Sequence, residues 1–382
     1  MTDEAGATPG WPCARPLVKW AGGKRGELDV IGRALPTRIG RLLEPFAGGG
    51  AVLFAAPACI PAEANDLCAD LIGLYRLCQG QDAGLLAAME AIIAAWSSLG
   101  AVAAGPGLPD AEMAEGAAAA CAPLAAIDHD IPAAAGRWAL VALARKRLAL
   151  ARIADAGTEP VEPEKLLSSA LRSAAYTAIR DAYNGSGLDA AGRAAVFWFI
   201  RDFCYSGMFR QNASGALNVP YGGMSYDRRS METRLAQLRG TATAERLAAA
   251  VFHCGDFAAF LTRARPRRSD FVFLDPPYDA RFSAYDGNAF GQADHLRLAA
   301  SLRDLPCRWM LVISETPFVR DAYCGLPGAR VASFAKLYGA NIKQRFTRRA
   351  THLLITNYDH AGLAADGDFP ERLQAVDVRQ AA

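Results

Sequence analysis

Asp275-Pro276-Pro277-Tyr278 stands directly after the apolar run FVFL at 271–274. That run reads as a strand, and two successive prolines stop it and fix the backbone at its end, so that Asp275 and the Pro276 carbonyl face outward at the sheet edge. Such a pair suits one kind of chemistry. An exocyclic amine on a planar ring is a poor nucleophile because its lone pair is delocalised. If Asp275 and the Pro276 C=O accept its two N–H bonds, the nitrogen is held pyramidal with its lone pair aimed at an electrophilic methyl group. Tyr278 is placed to stack on the ring, and a base must leave its helix before any enzyme can work on its edge. Alone, the tetrapeptide supports methylation of some planar amine.

A second set of residues reads as a place for the methyl donor. The segment EPFAGGGA at 44–51 follows a short apolar strand, and its glycines let the backbone turn sharply and approach a ligand. Phe46 and Gly48 are the expected contacts there. Asp66 ends the next strand, where a carboxylate can accept from both hydroxyls of a ribose. Asp70 falls in a helix and reads as a first-turn residue that stabilises the dipole. The spacing is not a dinucleotide fingerprint, because Leu53 occupies the third-glycine position. Nor is WAGGKRG at 20–26 a phosphate loop, since Arg25 stands where Ser or Thr is needed. Lys24 instead suits the carboxylate of S-adenosylmethionine, and Trp20 its sulfonium or adenine, a cation being attracted to an indole face.

These residues need a parallel sheet to hold them. Residues 41–56 read as strand, glycine turn and helix, and residues 61–80 as a strand ending near Asn65-Asp66 followed by a helix through Leu71, Leu74, Tyr75 and Cys78. FVFLDPPY and RWMLVISE are two more strands, with the helical ADHLRLAASLRDL between them. The expected fold is α/β and Rossmann-like, a mostly parallel sheet carrying ligands at its C-terminal edge. Residues 81–180 are alanine-rich and helix-prone, interrupted at GPGLPD and GTEPVEPE. Residues 185–232 have a Gly/Asn/Ser texture with aromatics and fall between the halves of the sheet, where a recognition domain can be inserted. The expected organisation is a discontinuous catalytic domain at 1–80 and 245–360, a helical insertion and recognition domain at 81–244, and a flexible tail at 361–382.

Composition narrows the class. The 382 residues are 52% hydrophobic and 21% charged with a net charge of +2, so any nucleic-acid surface must be a local patch. Arg263, Arg265, Arg267 and Arg268 form one basic cluster, and Lys343, Arg345, Arg348 and Arg349 another. Nine cysteines without a CxxC pair or zinc-like spacing point to reduced thiols, no metal and a cytoplasmic location. The N-terminus lacks the pattern of a signal peptide or anchor. The Ala-rich stretches between 83 and 125, read as broken by Glu90, Gly and Pro, are expected to be too weakly apolar for a membrane span.

PLVKWAGGKRGEL, LLEPFAGGGAVLF, ANDLCADLIGLY, FCYSGMFRQNASGALNVPYG, HCGDF, LDPPYDARFSAY and QRFTRRATHLLITNY occur in an order that resembles the Dam-type DNA adenine N6-methyltransferases. The likeness covers the chain apart from roughly 81–168, longer than the family needs. It implies an S-adenosylmethionine-dependent enzyme that methylates adenine N6 in double-stranded DNA by base flipping and direct in-line transfer, acting as a monomer or weak dimer. Carried over by position, it implies catalytic roles for Asp275, Pro276, Pro277 and Tyr278. Trp20, Lys24, Phe46, Gly48, Asp66, Asp256, Phe257 and Asp275 would contact the donor. Tyr205, Arg210, Asn212 and Asn218 would contact DNA, joined by Arg228 and Arg229 in a hairpin after that segment and by Arg348 and Arg349. Ser206 departs from the family's usual asparagine. Phe282 and Tyr285 would shape the pocket of the flipped base. Two rivals stay open on these residues: an amino-methyltransferase acting on cytosine N4, RNA or a glutamine amide, and a silent DNA-binding protein that kept the fold.

Overall fold

The computed structural model describes residues 11, 15–102, 108–155, 162–207, 209–227, 229–278, 290–338 and 348–359. Two compact units emerge, one of Met1–Leu17, Gly22–Ile72 and Gly240–Ala382, the other of Val18–Ala21 and Gly73–Arg239.

The first unit is built on seven strands: β1 Leu42–Glu44, β2 Ala62–Asp66, β3 Ala250–Cys254, β4 Phe271–Leu274, β5 Arg308–Ser314, β6 Arg330–Tyr338 and β7 Arg348–Thr356. Their order is β3-β2-β1-β4-β5-β7-β6. β1 to β5 pair in parallel, and β7 runs antiparallel to both β5 and β6. The chain leaves β1 toward β2 and β3, then returns to the other side of β1 at β4. That reversal makes the β1/β4 boundary a topological switch point, the place where open α/β sheets take ligands beyond the carboxyl ends of their strands.

All four residues of β4 are buried, as a central strand covered on both faces requires. Leu43, Val272, Leu274, Leu311, Ile313, Leu353 and Ile355 project into one core layer, packed with residues of the helices Phe257–Ala264 and Gln292–Arg303. The expected strands and their connecting helices are present. β6 was not anticipated, because its Arg330, Ser333 and Lys336 interrupt the apolar pattern, and its alternating exposure fits an edge strand with one wet face.

In the second unit we number helices α1 Ala83–Val102, α2 Asp110–Ala120, α3 Ile131–Asp155, α4 Pro163–Asn184, α5 Ala190–Phe203 and α6 Met231–Arg239. The first corrects an expectation: α1 runs unbroken through Glu90, and by length and composition alone it could cross a membrane. Glu90 is tolerated because it lies on the outer face, paired with Arg239 at 2.6 Å. The other face, with Leu85, Met89, Ile92, Trp96 and Leu99, is buried within the unit. Trp96 meets Phe199 and Phe203 of α5 with ring centroids 5.0 and 4.7 Å apart. α5 lies within the expected helical insertion, at the start of the segment with Gly/Asn/Ser texture and aromatics; Val196 to Phe203 is wholly buried, and the Asp189 carboxylate caps its start.

Candidate active site

The C-terminal ends of β1 and β4 bring the two expected sets of residues to the same edge of the sheet. Asp275 follows β4 and is 21% exposed. Lys24, from the 3-10 turn Lys24–Glu27, is 1% exposed and donates to Asp275 Oδ1, to the Tyr278 hydroxyl at 2.7 Å and to the Gly22 carbonyl at 3.1 Å. Its three ammonium protons thus have three partners within the protein, and the bonds hold Asp275 and Tyr278 in fixed orientations. A donor carboxylate would have to displace one of those bonds. Removing one member of such a buried pair strands the other charge, which typically costs about 3–5 kcal/mol.

Behind this pair lie groups the motifs did not reveal. Glu27, 4% exposed, receives the Lys336 ammonium from β6. His352 of β7 is fully buried, with Nε2 3.0 Å from Ser314 Oγ and Nδ1 3.3 Å from Glu27 Oε2. That last contact is of ion-pair length without hydrogen-bond geometry, and it carries charge only when the ring is protonated. The His352 ring meets Tyr278 edge-on at 5.5 Å. Burial pushes the Asp275 carboxyl upward, against the pull of Lys24, and the Glu27 charge adds to the rise. Burial would also raise Glu27, but His352, Lys24 and Lys336 outweigh it and bring the group down to about 2. Glu44 ends β1 with Oε1 unpartnered; burial pushes it up to about 8, opposed by a backbone hydrogen bond and Arg246.

On the other side of the switch point, the carboxylate of Asp66 is fixed by two backbone N–H groups: Gly48 donates to Oδ2 and Cys68 to Oδ1, both at 2.9 Å. Gly48 and Gly50 hold φ of +48° and +69°, left-handed values that side chains resist, so the turn needs glycine there. A Cβ on Gly50 would also sit 3.0 Å from the Phe54 ring. Phe46 packs on Phe257 at 5.3 Å and on Phe290 at 5.5 Å, and Phe290 joins the set as a residue that sequence reading passed over. Asp256 caps the helix Phe257–Ala264 by accepting from Ala258 and Ala259, and both its oxygens lie 3.0 Å from Arg297. Burial would raise its carboxyl; the Arg297 and backbone bonds outweigh that and hold it below the usual range.

The remaining expected residues belong to the helical unit or lie beyond description. Trp20 lies beneath the guanidinium of Arg201, 4.0 Å from the ring centroid, and Arg201 Nε donates to the Lys19 carbonyl. The segment 204–221 folds back on itself through the antiparallel bridges Cys204↔Tyr221 and Gln211↔Leu217, and Asn184 of α4 holds Leu217 through two hydrogen bonds of 2.8 and 2.9 Å. Tyr205, Arg210, Asn212 and Asn218 are all exposed there. Arg210 Nε donates to Asn218 Oδ1 at 3.3 Å, whereas Asn212 Oδ1 closes its own turn by accepting from Ser214 and Ala216. Ser206 has φ +55°, a conformation asparagine adopts more readily than serine, which gives the family's usual residue a backbone reason. The expected hairpin after this segment is instead a 3-10 turn, Met224–Tyr226, leading to α6. It turns because Gly223 has φ +83°, and Arg229 caps the arrangement by donating to the Asp202 carbonyl while lying 3.7 Å over Tyr226. Arg228, Phe282 and Tyr285 lie outside the described residues, and Arg348 and Arg349 enter only as backbone of β7. No metal was expected; Asp128, His129 and Asp130, on an exposed turn before α3, are the one group among the described residues whose ligand atoms lie within 4.8 Å of one another.

The Gly48–Asp66 loop and Asp275 face the same switch point of a mostly parallel seven-stranded sheet, the architecture of a Rossmann-like methyltransferase. Sequence comparison makes the class particular. The profile of the D12 class N6 adenine-specific DNA methyltransferases matches residues 20–98 and 148–339, and the chain belongs to that family. Among its relatives is a DNA N-6-adenine-methyltransferase of Escherichia phage P1, 28% identical over 330 residues, which are 84% of this chain and 33% of the relative. The Type II methyltransferase M.CviBI of Paramecium bursaria Chlorella virus NC1A is 24% identical over 352 residues, 90% of this chain and 100% of the relative. A DNA adenine methylase of Haemophilus influenzae is 24% identical over 328 residues, 83% and 85% of the two chains. The unmatched interior is 99–147, narrower than the expected 81–168: both the start of α1 and all of α4 lie within the family match.

Proposed function

We propose that this adenine-specific DNA methyltransferase uses S-adenosylmethionine as its donor and transfers the methyl group in line to the N6 of an adenine turned out of duplex DNA. The observation that carries the reading is Asp275, held outward from β4 by Lys24, across the switch point from the Gly48–Asp66 loop. The residues fit the donor. Two backbone N–H bonds aim the Asp66 carboxylate at the end of β2, where an acidic side chain suits the hydroxyls of a ribose. Half-buried Phe46, backed by Phe257 and Phe290, offers an aromatic face to a purine. S-adenosylmethionine, when bound, supplies a methyl group already activated on a sulfonium.

The protein's own part is positioning. Asp275 Oδ and the Pro276 carbonyl accept the two N6–H bonds, so the nitrogen lone pair leaves the plane of the ring and points at the methyl carbon. The N6–C bond forms as the S–C bond breaks. N6 then sheds one proton, and Asp275, raised by burial above the ordinary carboxylate range, is suited to take it. Pro277 keeps the turn rigid, and Tyr278, fixed by Lys24 and His352, stacks on the extruded base.

We assign the donor and catalytic part to 1–80 and 245–360 and recognition to 81–244, with the exposed Tyr205, Arg210 and Asn218 meeting DNA and Arg348 and Arg349 meeting phosphate. None of the eight described cysteines forms a disulfide, in keeping with a reducing, cytoplasmic location. The test is to incubate the protein with methyl-labelled S-adenosylmethionine and duplex DNA and digest to nucleosides. Label on N6-methyl-2′-deoxyadenosine is the expected result; label on deoxycytidine, or label taken up by RNA and not by DNA in a parallel reaction, would contradict the reading.

A further inference from the structure

We infer that Glu27 is a positioning residue for methyl transfer, acting through Lys24 on Asp275 and held from behind by Lys336 and His352. The inference rests on the assignment of Asp275 as the group that accepts the amine.

Four elements converge on one buried carboxylate. Glu27 closes the same 3-10 turn that Lys24 opens, so a shift of either is a shift of the other. β6 contributes Lys336, whose ammonium donates to Glu27 Oε1. β7 contributes His352 with Nδ1 3.3 Å from Oε2, and β5 fixes that ring through Ser314 at 3.0 Å. The contacts then return to the reacting end: His352 packs edge-on against Tyr278 at 5.5 Å, and the Tyr278 hydroxyl lies 2.7 Å from Lys24 Nζ. Asp275, Lys24, Glu27, His352 and Tyr278 are therefore linked in a circuit that closes through the backbone of the Lys24–Glu27 turn, and Glu27 is the member tied to β6 and β7.

The circuit is also a charge balance. Lys24 and Lys336 carry two positive charges, Asp275 and Glu27 two negative ones, and Glu44 faces Asp275 from β1. Removing the Glu27 charge leaves Asp275 beside two cations and without its like-charged neighbour, so its carboxyl becomes easier to ionise. Removing the Lys336 charge does the reverse. A residue that merely filled space would move neither.

The experiment is a pH titration of the donor-free protein with carbon-13-labelled aspartate, the Asp275 carboxyl being assigned by its loss in Asp275→Asn. Single-turnover methyl transfer is followed over the same pH range. In Glu27→Gln the titration and the acidic limb of the transfer rate should both move to lower pH. The rate at neutral pH should fall about tenfold as the turn that carries Lys24 loses its tie to Lys336 and His352, while calorimetric affinity for S-adenosylmethionine stays at the wild-type value. In Lys336→Met the titration and limb should move to higher pH. Titrations in the folded variants that coincide with wild type would overturn the inference, and Lys336→Met carries the test if Glu27→Gln does not fold. If Asp275→Asn retains wild-type transfer, the assignment of Asp275 itself fails; loss of transfer there with unmoved titrations in the other two sinks only the role of Glu27.

Discussion

The sheet edge and the helical unit place their polar residues in opposite ways. At the edge, Lys24, Glu27, Glu44 and His352 are buried, and side chains from several strands and turns dictate where Asp275 and Tyr278 stand. In the helical unit, Tyr205, Arg210, Asn212 and Asn218 are exposed on a folded-back segment, and the side chains of three of the four bond within that segment. The difference fits the division of labour proposed above. Methyl transfer needs groups fixed to a fraction of an ångström, and a low-dielectric setting strengthens each charge that does the fixing. Reading DNA needs side chains that reach outward, whose final partners lie on another molecule.

If that contrast holds, substitutions at the edge act on stability and chemistry, while those on the exposed segment act on DNA affinity alone. The larger effect is expected at Glu44. Its carboxyl is pushed up to about 8 in the fold against 4.5 ordinarily. Between those pH values the unfolded chain ionises while the folded one stays protonated, so the protein loses stability as pH rises through that window. Glu44→Gln abolishes the loss. The variant should be about 2 kcal/mol more stable than wild type near pH 8, after the cost of an unpaired buried amide, and gain nothing at pH 4. Parallel denaturation curves at the two pH values check this; an advantage that does not depend on pH would break the comparison.

A smaller effect is expected on the exposed segment. Arg210→Ala should weaken duplex binding by roughly three- to tenfold and reduce its salt slope by about one, as loss of a single phosphate contact does. Affinity for the donor should be unchanged. Loss of donor affinity in this variant would show that the segment is not separable from the catalytic half.

The same contrast explains what could be read from the sequence. DPPY, the glycine triplet and Asp66 were legible because each stands where a strand must end, and strand ends obey backbone rules. The partner of Lys24 was not: an ammonium 251 residues from Asp275 in the chain meets it only through the order of the strands. Glu27 and His352 escaped for the same reason, although a histidine within the apolar run THLLIT was a signal that a buried polar contact lay there. β6 escaped because an edge strand keeps one polar face, and α1 because a lone glutamate on the outer face of a helix does not interrupt it. The turn at 224–226, read as a hairpin, depends on one left-handed glycine.

Asp275→Ala tests the central claim most directly, by single-turnover transfer from labelled S-adenosylmethionine to duplex DNA with binding of both measured alongside. The account predicts a folded protein destabilised by about 3–5 kcal/mol through the stranded Lys24 charge, with both affinities close to wild type, and transfer reduced by a factor of about 10³ or more, since an acceptor aimed at the reacting nitrogen is worth several kcal/mol in the transition state. Transfer within a few fold of wild type would contradict it.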